Sequence, residues 1–171
     1  MMTPLRHLHI AAVIVMTVGI ATSALHADDR PPVATTARSI ALGGSNTALG
    51  DDAGTAFWNP SGLPLLQRQE LVFSYADRYG LGINSSFASY VFPLFERHAL
   101  GIDYLRESFG DAELSDAFQI INATYGIRLH RSISLGISGK LVTQSVDLDG
   151  TSLRSASGFG FDLGMMLTPK F

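Results

Sequence analysis

Phe118–Leu129 reads FQIINATYGIRL, and Ile133–Gln144, three residues on, reads ISLGISGKLVTQ. In the first, Ile121, Ala123, Tyr125, Ile127 and Leu129 are apolar, while Asn122, Thr124, Gly126 and Arg128 between them are polar or small. In the second, Ile133, Leu135, Ile137 and Leu141 alternate with Ser134, Gly136, Ser138 and Lys140. Side chains on an extended strand point to opposite faces in turn, so each stretch has one greasy and one wet face. With Leu129 and Ile133 both on the greasy face, a three-residue turn at His130–Ser132 joins them. Tyr125 then lies opposite Ile137, and Asn122 opposite Lys140.

Working outward, the same period recurs. Phe159–Thr168 alternates Phe159, Phe161, Leu163, Met165 and Leu167 with Gly160, Asp162 and Gly164. His98–Arg106 sets Leu100, Ile102 and Tyr104 against Gly101 and Asp103, and Glu70–Tyr79 puts Leu71, Phe73 and Tyr75 on one side. Leu81–Phe92 is mixed, and its faces are not assigned. That makes six strands. Soluble antiparallel sandwiches alternate too. Three features favour a transmembrane β-barrel instead. The strands are long for a globular protein and suit a tilted membrane crossing. The links at Pro93–Arg97 and His130–Ser132 are short, whereas Glu107–Ser115 and Ser145–Ser157 are longer and polar, as periplasmic turns and external loops are. Aromatics gather near the long-loop ends (Tyr75, Tyr79, Tyr104, Phe118 and Phe159), where an interfacial girdle would sit. The wet face carries Asp103, Arg128, Lys140 and Asp162. A charge facing mid-bilayer lipid costs about 2–4 kcal/mol for Arg or Lys, so these four are expected to face the lumen, as solvated charges without a specific task.

An open sheet edge cannot sit in lipid, and single-chain barrels start at about eight strands. The expectation is therefore an all-β antiparallel barrel of which these six strands are the first part, with Thr168-Pro169-Lys170 as the next turn. The aromatic Phe171 keeps a genuine barrel terminus as the alternative.

The chain has 171 residues, 46% of them hydrophobic and 16% charged, yet no apolar run long enough for a spanning helix. The net charge of −3 supplies no basic patch for nucleic acid, and the absence of cysteine excludes disulfides, thiolate metal sites and a cysteine-linked lipid anchor. Arg6, His7 and His9 precede the apolar stretch Ile10–Ala21, and small residues follow. That is the order of a secretory signal peptide, with cleavage after Ala24 or Ala27; an uncut N-terminal anchor is the alternative. Residues 1–27 are assigned to the signal peptide, 28–69 to a periplasmic or lumenal cap segment, and 70–171 to the partial barrel. Removing the signal takes away Arg6 and no acid, leaving 11 basic and 15 acidic residues.

Between signal and strands lies ARSIALGGSNTALGDDAGTAFWNPSGL, residues 37–63, rich in glycine and alanine. Asp51-Asp52-Ala53 is expected to start a helical turn with Asp as N-cap, and Trp58-Asn59-Pro60-Ser61-Gly62 to form a turn. This stretch resembles the opening of the PorV/PorQ family of outer-membrane proteins and, more distantly, that of FadL-type fatty-acid transporters. Gly43, Gly44, Asp51, Asp52, Trp58, Asn59, Pro60 and Gly62 carry the likeness; Ser61 stands where the family usually has Ala. The resemblance covers about 27 residues specifically and implies a barrel of about fourteen strands with its N-terminal segment in or over the lumen. It implies a role in protein secretion (type IX, for family members) or transport across the outer membrane, with secretion components or a hydrophobic solute as partners beside the lipid. A FadL-like solute transporter, a porin-like channel and a soluble secreted β-sandwich binding module are the alternatives.

Catalytic signals are weak. Past the signal peptide the histidines are His98 and His130, both at expected turns. Neither joins a metal-ligand spacing, and no cofactor is expected. Gly158-x-Gly160 meets its third glycine, Gly164, one residue too late for a dinucleotide fingerprint; Gly139-Lys140-Leu141 is no P-loop. Asp147-Leu148-Asp149-Gly150 lacks the other ligands of a calcium loop. The expectation is a protein that is not an enzyme.

Overall fold

A computed structural model describes residues 35–50, 52–78, 80, 82–110, 114–149 and 151–168. The expected signal peptide, Asp51, Tyr79, the Pro169-Lys170 turn and Phe171 lie outside the described residues. Six strands form one antiparallel sheet in chain order: β1 (Glu70–Arg78), β2 (Ile83–Phe95), β3 (His98–Gly110), β4 (Leu114–His130), β5 (Ile133–Leu148) and β6 (Thr151–Leu167). Before them come a short helix α1 (Ala37–Ala41), a single turn α2 (Thr55–Trp58) and a 3-10 helix (Pro60–Leu65). The fold is all-β, with β1 and β6 as the outer strands of the sheet. Among the described residues no helix is long and apolar enough to cross a membrane.

Register follows parity. Tyr125 pairs with Ile137 and Asn122 with Lys140. Cross-strand rows run unbroken over the sheet, for example Phe92, Leu100, Tyr125, Ile137 and Leu163 on one face. On the other face the matching row is Ala99, Gly126, Gly136 and Gly164. The mixed strand β2 also resolves: Ser85, Phe87, Ser89 and Val91 are buried on the second face, and Tyr90 and Phe92 are exposed on the first.

The two faces differ in what covers them. α2 and the 3-10 helix pack on the second, inner face, where Ala53, Ala56, Leu63 and Leu66 join Val91 and Ala99 in a small core. No described residue packs over the outer face. Its outer positions Ile121–Leu129, Ile133–Leu141 and Phe159–Leu167 end at one level, beyond which the row becomes Ser86, Arg106, Gln119, Thr143 and Ser157.

Four expectations are corrected. Glu107–Ser115 and Ser145–Ser157 are not long loops, because β3–β4 and β5–β6 continue through most of them as paired hairpins. Past the apolar level the side chains lose their alternation, but backbone N–H and C=O groups still pair across the ladder whatever side chains they carry. The β4–β5 turn is Arg131-Ser132 rather than three residues, with His130 opposite Ile133 and an irregularity at Leu129. Phe118 is not part of an outer girdle: it has inner parity and is buried. Finally, α2 starts at Thr55, with Gly54 as an N-cap that makes no side-chain bond. Asp52 supplies only its backbone carbonyl to Thr55 N–H, at 3.1 Å, while its carboxylate sits 3.7 Å from the Arg38 guanidinium.

Candidate functional site

The inner face is built to receive the Asn-Pro-Ser-Gly turn. Asn59 caps the 3-10 helix, its Oδ1 accepting from Ser61 N–H at 3.1 Å and from Ser61 Oγ at 2.6 Å. Pro60 takes the first position, where its missing N–H is not needed. The Asn59 amide also donates to the Thr47 carbonyl, 2.7 Å away, which ties the turn back to the chain before it. Trp58 donates its indole N–H to Thr35 Oγ1 at 3.0 Å. Gly62 lies against Gly50 and Thr55, so closely that a Cβ there would run into the Thr55 side chain.

The sheet answers with glycine. A Cβ on Gly136 would land on the Pro60 backbone, and one on Gly164 would strike the Asn59 side-chain oxygen. At Gly126 it would come 2.6 Å from Pro64 Cδ, and at Gly101 2.9 Å from Leu63 Cδ2. The close approach of the turn to β4–β6 thus requires Gly126, Gly136 and Gly164 to lack a side chain, while at Gly101 the neighbour is the end of the Leu63 side chain. Hydroxyls complete the seat. Ser134 Oγ donates to the Ser61 carbonyl at 2.7 Å, and Ser89 Oγ to the Ala53 carbonyl at 2.8 Å.

Beside the seat lies a polar layer. Asp103 is 1% exposed and accepts from the Asn122 amide at 2.7 Å. That amide also reaches Thr124 Oγ1 at 3.0 Å, and Thr124 Oγ1 and Ser138 Oγ share a hydrogen bond of the same length. The second carboxylate oxygen of Asp103 and the amide oxygen of Asn122 are buried without a partner among the described residues. Lys140, next in their cross-strand row, gives its ammonium to Asp162 at 2.6 Å and holds it 4.9 Å from the centre of the Phe57 ring. A cleft of about 450 Å³ opens here, lined by Phe57, Trp58, Asn59, Lys140 and Asp162 among others. The layer can hold polar or charged groups against the N-terminal segment. Among the described residues no group of three or more His, Asp or Glu could hold a metal ion.

The residues singled out in the sequence therefore divide. Trp58 ends α2, Asn59 caps the 3-10 helix that holds Pro60 and Gly62, and Asp103, Lys140 and Asp162 lie on the same face beside them. Arg128 has inner parity but stands at the turn end of the sheet, away from the polar layer. Gly43 and Gly44, with φ of +63° and +81°, shape the turn after α1 and touch nothing that a Cβ would meet. Sequence reasoning passed over Phe57, Ser89, Ser134 and the glycine seat. Its signal was present: four strands carry a glycine at inner parity. No family model, curated protein or solved structure matches this chain.

Proposed function

We propose that this sheet is part of the wall of an outer-membrane β-barrel, with the N-terminal segment as a plug on its lumenal side, and that the protein serves secretion or transport of the PorV/PorQ type. The observation that carries the reading is the outer face. Leu163 is 83% exposed, Phe161 77% and Ile137 46%, in continuous rows with no described residue packed on them. Soluble monomers rarely show contiguous apolar patches larger than a few hundred Å².

The height of the band fits a bilayer. Each of the three best strands offers five successive outer positions, or eight residue steps, which is about 27 Å along the strand. Tilted by about 35–45°, that gives a band about 19–22 Å tall, against about 25 Å for outer-membrane barrels. A concavity of about 700 Å³ on this face, floored by Ala123 and Gly139 between Tyr125, Ile137 and Phe161, would be filled by acyl chain. Closure requires further strands or further copies, since six are too few.

Outer-membrane fractionation and gel mobility before and after heating test this reading. A folded barrel migrates differently until heated; a protein recovered soluble from the periplasm overturns the proposal. The packed N-terminal segment favours a plugged barrel over an open porin. Planar-bilayer recordings should then show little conductance, whereas a large steady conductance would favour the porin-like channel.

A further inference from the structure

The turn end of the sheet collects three arginines that form no ion pair among the described residues. Arg97, Arg128 and Arg131 line one cleft of about 470 Å³ together with Glu96, Leu129 and His130. The Arg128 N–H donates to the Arg97 carbonyl at 2.7 Å, which holds the β2–β3 turn against the end of β4. Among the described residues none of the three guanidinium groups forms an ion pair, not even with Glu96 on the same rim. The Arg128 Nε is buried without a partner among the described residues. Arg97 and Arg131 are exposed and Arg128 is half-buried, so an anion in the cleft would meet guanidinium groups that lack a carboxylate partner. The opposite end differs in sign: its hairpins carry Asp77, Glu107, Asp116, Asp147 and Asp149 against Arg78, Arg106 and Arg154.

The cleft also touches the apolar band. Leu129, which lines it, is 51% exposed on the outer face, and Phe95, beside Arg97, is 76% exposed. One ligand would match both halves: a phosphate attached to hydrocarbon. We propose that this cleft binds the headgroup phosphate of an anionic glycerophospholipid in the leaflet at the turn end, with its acyl chains on Leu129 and Phe95. Guanidinium forks suit phosphate oxygens in a way ammonium groups do not. The proposal rests on the membrane reading above.

The test uses the full chain purified in neutral detergent and reconstituted in phosphatidylcholine vesicles, with or without phosphatidylglycerol. Native mass spectrometry of the re-extracted protein reads bound lipid. Phosphatidylglycerol should be retained over phosphatidylcholine. Each arginine removed should lower retention about fivefold, and R97Q/R128Q/R131Q together on the order of a hundredfold. Because Arg128 is partly buried, the double variant R97Q/R131Q, confined to exposed turn positions, serves as the second variant and should lose about 25-fold. A protein that shifts on heating in the vesicles but retains both lipids equally, with or without the arginines, overturns this inference and leaves the membrane reading intact. A protein that does not enter vesicles overturns both. Displacement of the lipid by millimolar inorganic phosphate would show that free phosphate is the ligand, and would overturn the lipid assignment.

Discussion

The two faces of this sheet invert the usual rule of protein interiors. On the inner face the polar Ser85, Ser89, Asp103, Asn122, Thr124, Ser134 and Ser138 are buried beside the apolar Phe87, Val91, Ala99, Leu105, Phe118 and Met166, and the seats are glycines. On the outer face Phe, Leu, Ile and Tyr stand uncovered. A water-soluble sheet buries its large apolar side chains and shows its serines to solvent. Here glycines and small polar side chains let a second piece of chain come close, and many large apolar side chains on the other face are left to meet a surrounding medium. What differs between the faces is therefore what each meets: backbone and hydroxyls of the N-terminal segment on one side, and on the other, under the proposed reading, hydrocarbon.

The largest expected effect breaks the comparison on the outer face. Ile137→Lys places a charge in the middle of the band. If the face meets lipid, urea titration of the protein folded in vesicles should show a loss of about 2–4 kcal/mol. If it meets water, the same change at a half-exposed site should cost no more than about 0.5 kcal/mol. Next comes the seat. Gly136→Ala puts a methyl on the Pro60 backbone, which cannot rotate away, and should cost about 1–3 kcal/mol. It should also speed proteolysis of the N-terminal segment. Gly158→Ala, where a Cβ would meet nothing within 4 Å, should be silent in both assays; equal effects at the two glycines would dismiss the seat.

Smaller effects sharpen the inner face. Ser134→Ala removes the hydrogen bond to the Ser61 carbonyl and should cost about 1 kcal/mol in the same titration. Lys140→Gln separates Asp162 from its partner. Both side chains keep some exposure, so the loss should stay below about 1 kcal/mol and shrink as salt is raised. A salt-independent loss would mean that the Phe57 contact, rather than the ion pair, holds Lys140.

Much of this was legible in the sequence. The alternation of Ile121–Leu129 with Asn122–Arg128 fixed both the face and the pairing of Tyr125 with Ile137. The Asn59-Pro60-Ser61-Gly62 turn could be read because its chemistry is local: a capping amide, a ring that fixes φ, and a small residue. The hairpin extensions could not, since polar sequences such as Ser145–Ser157 pair or loop with equal ease. Phe118 misled for a related reason: an aromatic near a band edge looks like a girdle until the register shows which way it points.

By itself the sequence determined that six strands are present, the two-faced character of five of them and the register of β4 against β5, because a strand's backbone geometry forces alternate side chains apart whatever else is present. Only the tertiary structure decided which face the N-terminal segment would occupy. It likewise decided why Gly101, Gly126, Gly136 and Gly164 stand at inner parity. Those contacts join residues far apart in the chain, such as Ser61 and Ser134, and no local pattern encodes a distance that only folding closes.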